Sequence, residues 1–123
     1  MNTQQVADRL VALCREGKYE QAQDELYAED AVSLEMPGLP PGALGDAKGL
    51  DEIREKGRKW AQNIVEIHGG SVSDPVVADA WFSVAMAIDA TYKDMGRMPV
   101  EEICVYRVRD GKIVHEQFFY SME

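Results

Sequence analysis

The chain has 123 residues, 46% of them apolar, and a net charge of −9 at neutral pH. That length fits one domain, 1–123, with enough buried surface for a core and a ligand cavity. The acidic balance speaks against nucleic acid and anionic membranes as partners, since both need a basic face.

The N-terminus MNTQQVADRL is polar and lacks a secretory apolar core. No run approaches the ~20 apolar residues of a membrane span. The two cysteines, Cys14 and Cys104, have neither metal-knuckle nor redox-motif spacing and read as reduced, buried thiols. A cytoplasmic protein is the expectation.

Residues 3–15 place Val6, Leu10, Leu13 and Cys14 on one stripe, an amphipathic helix with Thr3 as N-cap and Gly17 as its end. Residues 19–26 predict a second helix with Tyr19, Ala22 and Leu26 inward. Ala31–Met36 reads as a short strand, Val32 and Leu34 on one face and Ser33 and Glu35 on the other. A Pro- and Gly-rich loop follows, from Pro37 to Gly49. Asp51 and Glu52 open a third helix that runs to Asn63 and presents Ile53, Lys56/Gly57 and Trp60.

The rest of the chain predicts strands: Ile64–Ser73, a long Val76–Thr91, Met98–Arg109 and Lys112–Ser121, with turns at Asp74-Pro75 and around Met95-Gly96. Asp110-Gly111 favours the two-residue turn of a β-hairpin. The order is α-α-β-α-β-β-β-β. Early helices and late strands imply an α+β fold with an antiparallel-rich sheet folded over the helices.

That order, with the segments LYAEDAVSLEMPG, GLDEIREKGRKWAQN and VYRVRDGKIVHEQFFY, resembles the SnoaL-like branch of the nuclear-transport-factor-2-like superfamily. The resemblance covers nearly the whole chain. It implies a cystatin-like cone, in which a strongly curved, mostly antiparallel sheet wraps the helices and leaves a deep pocket at its wide end. Members include ketosteroid isomerases, polyketide cyclases, epoxide hydrolases, dehydratases and binding or scaffolding modules. Dimerisation through the sheet's outer face is common among them. The stretch EMPGLPP also resembles limonene-epoxide-hydrolase-like proteins, where an asparagine takes the place of Glu35 and a tyrosine that of Ser33. Asp89 falls near that group's catalytic aspartate, but its arginine is Ala87 here and its second aspartate is Phe118. The water-holding pair and the charge relay are both broken, so epoxide hydrolysis by that route is not expected.

Glutamates on apolar strand rows are the candidates for chemistry, because a desolvated carboxyl can carry protons near neutrality. Glu102, Cys104, Tyr106 and Val108 share one face of the first hairpin arm; Val114, Glu116, Phe118 and Tyr120 share one face of the second. In an unbroken hairpin Arg109 pairs with Lys112 and Glu102 with Phe119, which separates the two glutamates. A bulge would bring them together. The family alignment turns Glu102, Glu116, Phe118 and Tyr120 inward, and that reading is adopted.

Asp89 is poorly suited to a strand interior; it either joins the pocket or caps the turn toward Lys93-Asp94. Glu35 ends its strand either at the pocket mouth or exposed. Glu66 and His68 share a strand face, as an oriented base or an ordinary cross-strand pair. His115 lies opposite Glu116, on the surface or at an interface. With His68 and His115 as the only histidines, no metal site is expected. No nucleophile elbow or phosphate loop occurs, and no cofactor is expected. Trp60, Trp81, Phe118, Phe119 and Tyr120 read first as core.

The leading expectation is a cofactor-independent acid/base enzyme of isomerase, cyclase or dehydratase type, acting on a hydrophobic small molecule. Glu102, Glu116 and Asp89 would relay protons, Tyr120 or Tyr106 would donate a hydrogen bond, and Glu35, Trp60, Phe118 and His68 would help line the pocket. The alternatives are a non-catalytic small-ligand binder and a dimeric interaction module. A homodimer is expected in each case.

Overall fold

The computed structural model describes residues 1–39 and 44–121. Helix α1 spans Thr3–Arg15. Its N-cap is Asn2 rather than Thr3, because Asn2 and Gln5 form a reciprocal capping box: Gln5 N–H donates to Asn2 Oδ1 at 2.8 Å and Asn2 N–H to Gln5 Oε1 at 2.9 Å. The predicted stripe is buried, with Val6, Leu10 and Leu13 each no more than 1% exposed. Each such side chain contributes roughly 1.5–3 kcal/mol by leaving water. Helix α2 spans Tyr19–Leu26, and β1 follows it directly as Tyr27–Leu34, four residues earlier than the expected start at Ala31.

The expected loop 37–49 lies partly outside the described residues, at 40–43. Among its described residues Ala47–Lys48 form a short strand, β2, against Val32 and Ser33. Helix α3 runs Leu50–Asn63 behind Gly49.

The next three strands pair with one another through β5. β3 is Ile64–Val72, β4 is Val76–Ala78 and β5 is Trp81–Tyr92, so the long strand expected over 76–91 is two strands. The chain reverses at Asp79-Ala80, not at Asp74-Pro75. Asp79 adopts a positive φ of 53°, which an aspartate tolerates. Ser73 still bonds Ala85, and β3 and β4 follow one edge of β5. Pro75 therefore sits in a break in the edge pairing, where its missing N–H is tolerated. Gly70 has a structural cause: a Cβ there would lie 2.8 Å from the Ala87 carbonyl oxygen of β5.

Strand β6 is Gly96–Arg109 and β7 is Lys112–Phe119. Asp110 and Gly111 take φ of 52° and 76°, as a type I′ turn requires. The sheet order is β2-β1-β7-β6-β5-β3, with β4 also on β5. All pairs are antiparallel except β1 with β7, which is parallel. The core fills the concave side, between the sheet and the helices.

The hairpin carries the bulge on which the site depends. Arg109 pairs with Lys112 and Val108 with Ile113, but Arg107 pairs with His115 and Tyr106 with Glu116. Val114 is the inserted residue. It consequently leaves the inward row in which the sequence placed it; Ile113, fully buried, takes that place. Beyond the bulge Glu116 and Phe118 stand opposite Tyr106 and Cys104. Glu102 and Glu116 thus occupy the same concave face.

Candidate functional site

A cavity of about 610 Å³ opens on the concave face, walled by all three helices and by β1, β3, β5, β6 and β7. Glu35, Trp60, His68, Tyr106, Glu102, Glu116 and Phe118 are among its lining residues. Asp89 and Tyr120 are not.

Glu116 is held at the floor. It is 5% exposed and accepts a hydrogen bond from the Tyr27 hydroxyl, across 89 residues of sequence. Parallel pairing sets Ser33, fully buried, directly beside it. Burial raises the Glu116 carboxyl above its ordinary value; Tyr27, Ser33 and the nearby Lys56 charge oppose that rise. Burial likewise holds the Tyr27 hydroxyl well above its usual value.

Lys56 comes in from α3. Its ammonium lies 2.7 Å from Glu35 Oε1, donates to Ser33 Oγ at 3.0 Å and sits 5.2 Å from the Phe118 ring centre. Both side chains of the Lys56–Glu35 pair are 12% exposed. Tyr120 completes this wall by donating to Glu35 Oε2 at 3.0 Å, which makes it a support for Glu35 at the edge of the cavity. Burial, the larger cause, and proximity to Glu35 raise the Tyr120 hydroxyl to about 12.

Glu102 is differently placed. It stands on β6 opposite Met86 of β5, and its side-chain partner among the described residues is the Cys104 thiol, 3.5 Å away. A thiol is a weak donor. Burial pushes the Glu102 carboxyl up to about 7, helped by the negative charges of Glu35 and Glu116. It is a carboxyl that takes up or releases a proton near neutral pH, facing a mostly apolar space.

The aromatic candidates divide. Trp60 packs edge-on to Tyr19, ring centres 5.6 Å apart, at the cavity wall. Tyr106, 2% exposed, stacks on Phe82 at 4.8 Å and is chiefly core. Trp81 and Phe119 are not core: they are 41% and 42% exposed.

Asp89 stands apart from the other acids, contrary to the sequence-based expectation. Even-numbered residues of β5, such as Phe82, Val84 and Ala90, face the core. Alternation therefore turns Asp89 outward. There Arg97 bonds both its oxygens, at 3.2 and 2.9 Å, and holds the carboxyl below its usual range. His68 borders the cavity, but its ring bonds Thr91, on Asp89's face, at 2.7 Å, with Glu66 3.5 Å away. His115 stacks edge-on with Trp81, away from Glu116.

The sequence reading missed Tyr27 and Ser33 and saw Lys56 only as an inward helix position. Only the helical stripe of α3, Ile53–Lys56–Trp60, signalled that a lysine points inward. Among the described residues no group of three or more His, Cys, Asp or Glu is placed to hold a metal ion, and no helix is long and apolar enough to cross a membrane.

Comparison with known proteins agrees with this architecture. The profile of the SnoaL-like domain matches residues 1–120. Among solved structures, a protein from Mesorhizobium loti described as a SnoaL-like polyketide cyclase superposes with a TM-score of 0.88 at 31% identity, covering 98% of this chain and 100% of that one. A Bacillus subtilis protein described as an isomerase gives 0.70 at 21% identity, over 98% of this chain and 90% of that one. A protein with a ketosteroid-isomerase-like fold from Catenulispora acidiphila, in complex with trimethylamine, gives 0.68 at 18% identity, over 95% and 85%. No curated protein matches significantly.

Proposed function

The chain belongs to the SnoaL-like family, and from that premise we propose that it binds a small, largely apolar molecule in the concave cavity and moves a proton on it without a cofactor. The reaction would be of isomerase, cyclase or dehydratase type. The observation that carries this is the placement of Glu102: a half-buried carboxyl at the wall of a 610 Å³ cavity, with the Cys104 thiol as its side-chain partner among the described residues and a pKa raised to about 7 by burial. Proton transfer works best when the group's pKa lies near the working pH. Glu116, tied to Tyr27, is the second acid; Trp60 and Phe118 supply the apolar surface. Asp89, bonded to Arg97 on the outer face, has no part. The trimethylamine complex of the Catenulispora protein supports small-molecule binding by this fold.

Carbon-13 detected titration tests the group itself, with a midpoint near 7 expected for Glu102; a midpoint at or below an ordinary glutamate's would overturn the proposal. Deuterium exchange into the α-positions of a cyclic ketone such as 2-indanone tests the chemistry. Wild type should accelerate it and Glu102→Gln should not. Binding of the ketone without acceleration would make the protein a ligand carrier.

We also propose a cytoplasmic homodimer formed through the outer sheet face. Ile103, Phe119 and Trp81 are 48%, 42% and 41% exposed there, and uncovered apolar side chains grouped on a sheet face mark interfaces. Light scattering at tens of micromolar should give the dimer mass, and a monomer mass would refute the assembly.

A further inference from the structure

We propose that two copies of the chain stack outer face to outer face with their β6 strands antiparallel, about a two-fold axis that crosses the strands over the Val84–Cys104 pair. Glu101 of each copy then meets Arg107 of the other, and Trp81 of each enters a hollow in the other. The pairing rests on the homodimer reading of the outer face. It deepens that reading by fixing how the copies lie and which partner the face accepts.

The outer face carries a pattern that complements itself when reversed end to end. Even-numbered residues of β6, such as Cys104 and Tyr106, are buried, so alternation turns Glu101, Ile103, Val105 and Arg107 outward. On β5, Ala87 stands beside Glu101 and Trp81 beside Arg107. The two rows lie equally far from the Val84–Cys104 pair, on opposite sides of it. One end therefore offers a carboxylate beside a methyl group. The other offers a guanidinium beside an indole, 5.7 Å from the ring centre. Between them Ile103 pairs with Phe119, and both are exposed. Next to Ala87 the face is hollow: a space of about 730 Å³ has Ser71, Ser73, Ala85 and Ala87 among its lining residues, with Ile103 and Phe119.

Charge selects the orientation. A two-fold axis that stacks one sheet on its copy lies in the plane between them. Laid along β6, it would set Arg107 on Arg107 and Glu101 on Glu101. That repulsion would add to the one between two chains of net charge −9. Laid across β6, it sets Arg107 on Glu101 twice, because each contact of a two-fold pair occurs in both directions. Stacked sheets lie about 10 Å apart with their strands within about 30° of each other, a gap that an arginine and a glutamate span together. The same axis sets Trp81 over Ala87, large on small, and Ile103 over Val105. The centre is then apolar and the charges flank it. Flanking pairs add modest affinity, but like charges there are costly, so Glu101 and Arg107 fix the register. A partner that lacks the reversed pair is refused by the same repulsion.

The test is charge reversal, read by light scattering over a dilution series at low salt, where screening is weak. Wild type should give the dimer mass at tens of micromolar. Glu101→Arg and Arg107→Glu should each raise the dimer dissociation constant roughly tenfold or more, since each sets like charges together at both symmetric contacts. An equimolar mixture of the two variants should recover the dimer mass, because every charge then meets its opposite. That recovery also shows that both variants are folded. The chain carrying both substitutions should dimerise by itself as wild type does. A wild-type dimer that neither single reversal weakens would overturn this pairing and leave the homodimer standing. So would variants that weaken alone and fail to recover on mixing. A wild-type monomer would remove the homodimer and the pairing together.

Discussion

On the β1–β7 side of the cavity every carboxyl has a strong partner: Glu35 holds Lys56 and Tyr120, and Glu116 holds Tyr27. On the β5–β6 side Glu102 has, among the described residues, only a thiol. Both sides are desolvated, and desolvation alone pushes a carboxyl toward its neutral form. Partners decide the outcome. For Glu102 burial dominates and the group titrates near 7. The first side is framework; the second is where a proton can leave or arrive.

Lys56→Met breaks the framework side and should have the largest effect. It strands Glu35 in a site where each partner is only 12% exposed. Removing one member of such a pair costs about 3–5 kcal/mol, read as a lower urea midpoint. Adding Glu35→Gln should restore much of the loss, because no unpaired charge is then buried.

Glu102→Gln should act with the opposite sign. The folded-state pKa of Glu102, about 7, lies above the unfolded value near 4.5. Between these values the unfolded chain has lost the proton that the folded protein keeps, so stability falls as pH rises through that window. It levels off once both states are ionised. A glutamine amide cannot ionise, so the variant should be more stable than wild type at pH 8 by about 1–2 kcal/mol, less than the full linkage because the contact to Cys104 changes. At pH 4 the two proteins should match. A loss of stability at pH 8 would mean that Glu102 is a structural carboxylate like its neighbours.

The smallest effect sharpens the same contrast. Asp89→Asn alters an acid only on the outer face, paired with the exposed Arg97. Exposed pairs contribute little. The urea midpoint and the Glu102 titration should both stay where they are, whereas a shift in the latter would restore Asp89 to the site.

Where chemistry depends on neighbours in sequence, the residues themselves were sufficient. Stripe spacing marked α1 and the inward edge of α3, and Asp110-Gly111 marked the closing turn, because helix faces and turns are set within a few residues. The break at Ser73–Pro75 and the reversal at Asp79-Ala80 were harder. A proline and an aspartate both suit turns, and only pairing against β5 shows which one turns the chain. On β5, alternation decided Asp89's side, and that depends on which residues meet the core rather than on Asp89 itself.

The sequence by itself determined the three helices and their places among the strands, the fold class and the presence of glutamates on apolar rows, but not the short strand β2 or the division of the expected strand over 76–91 into β4 and β5. Tertiary structure alone decided which glutamates have partners. Tyr27 reaches Glu116 across 89 residues, Tyr120 reaches Glu35 across 85 and Lys56 reaches Ser33 across 23. The bulge at Val114, which brings Glu116 to the face of Glu102, is likewise a product of packing: either register satisfies the Asp110-Gly111 turn, and burial of Ile113 with Glu116 selects one. A carboxyl's pKa depends on solvent and charge within a few ångströms, and those neighbours come from strands and helices far apart in the chain.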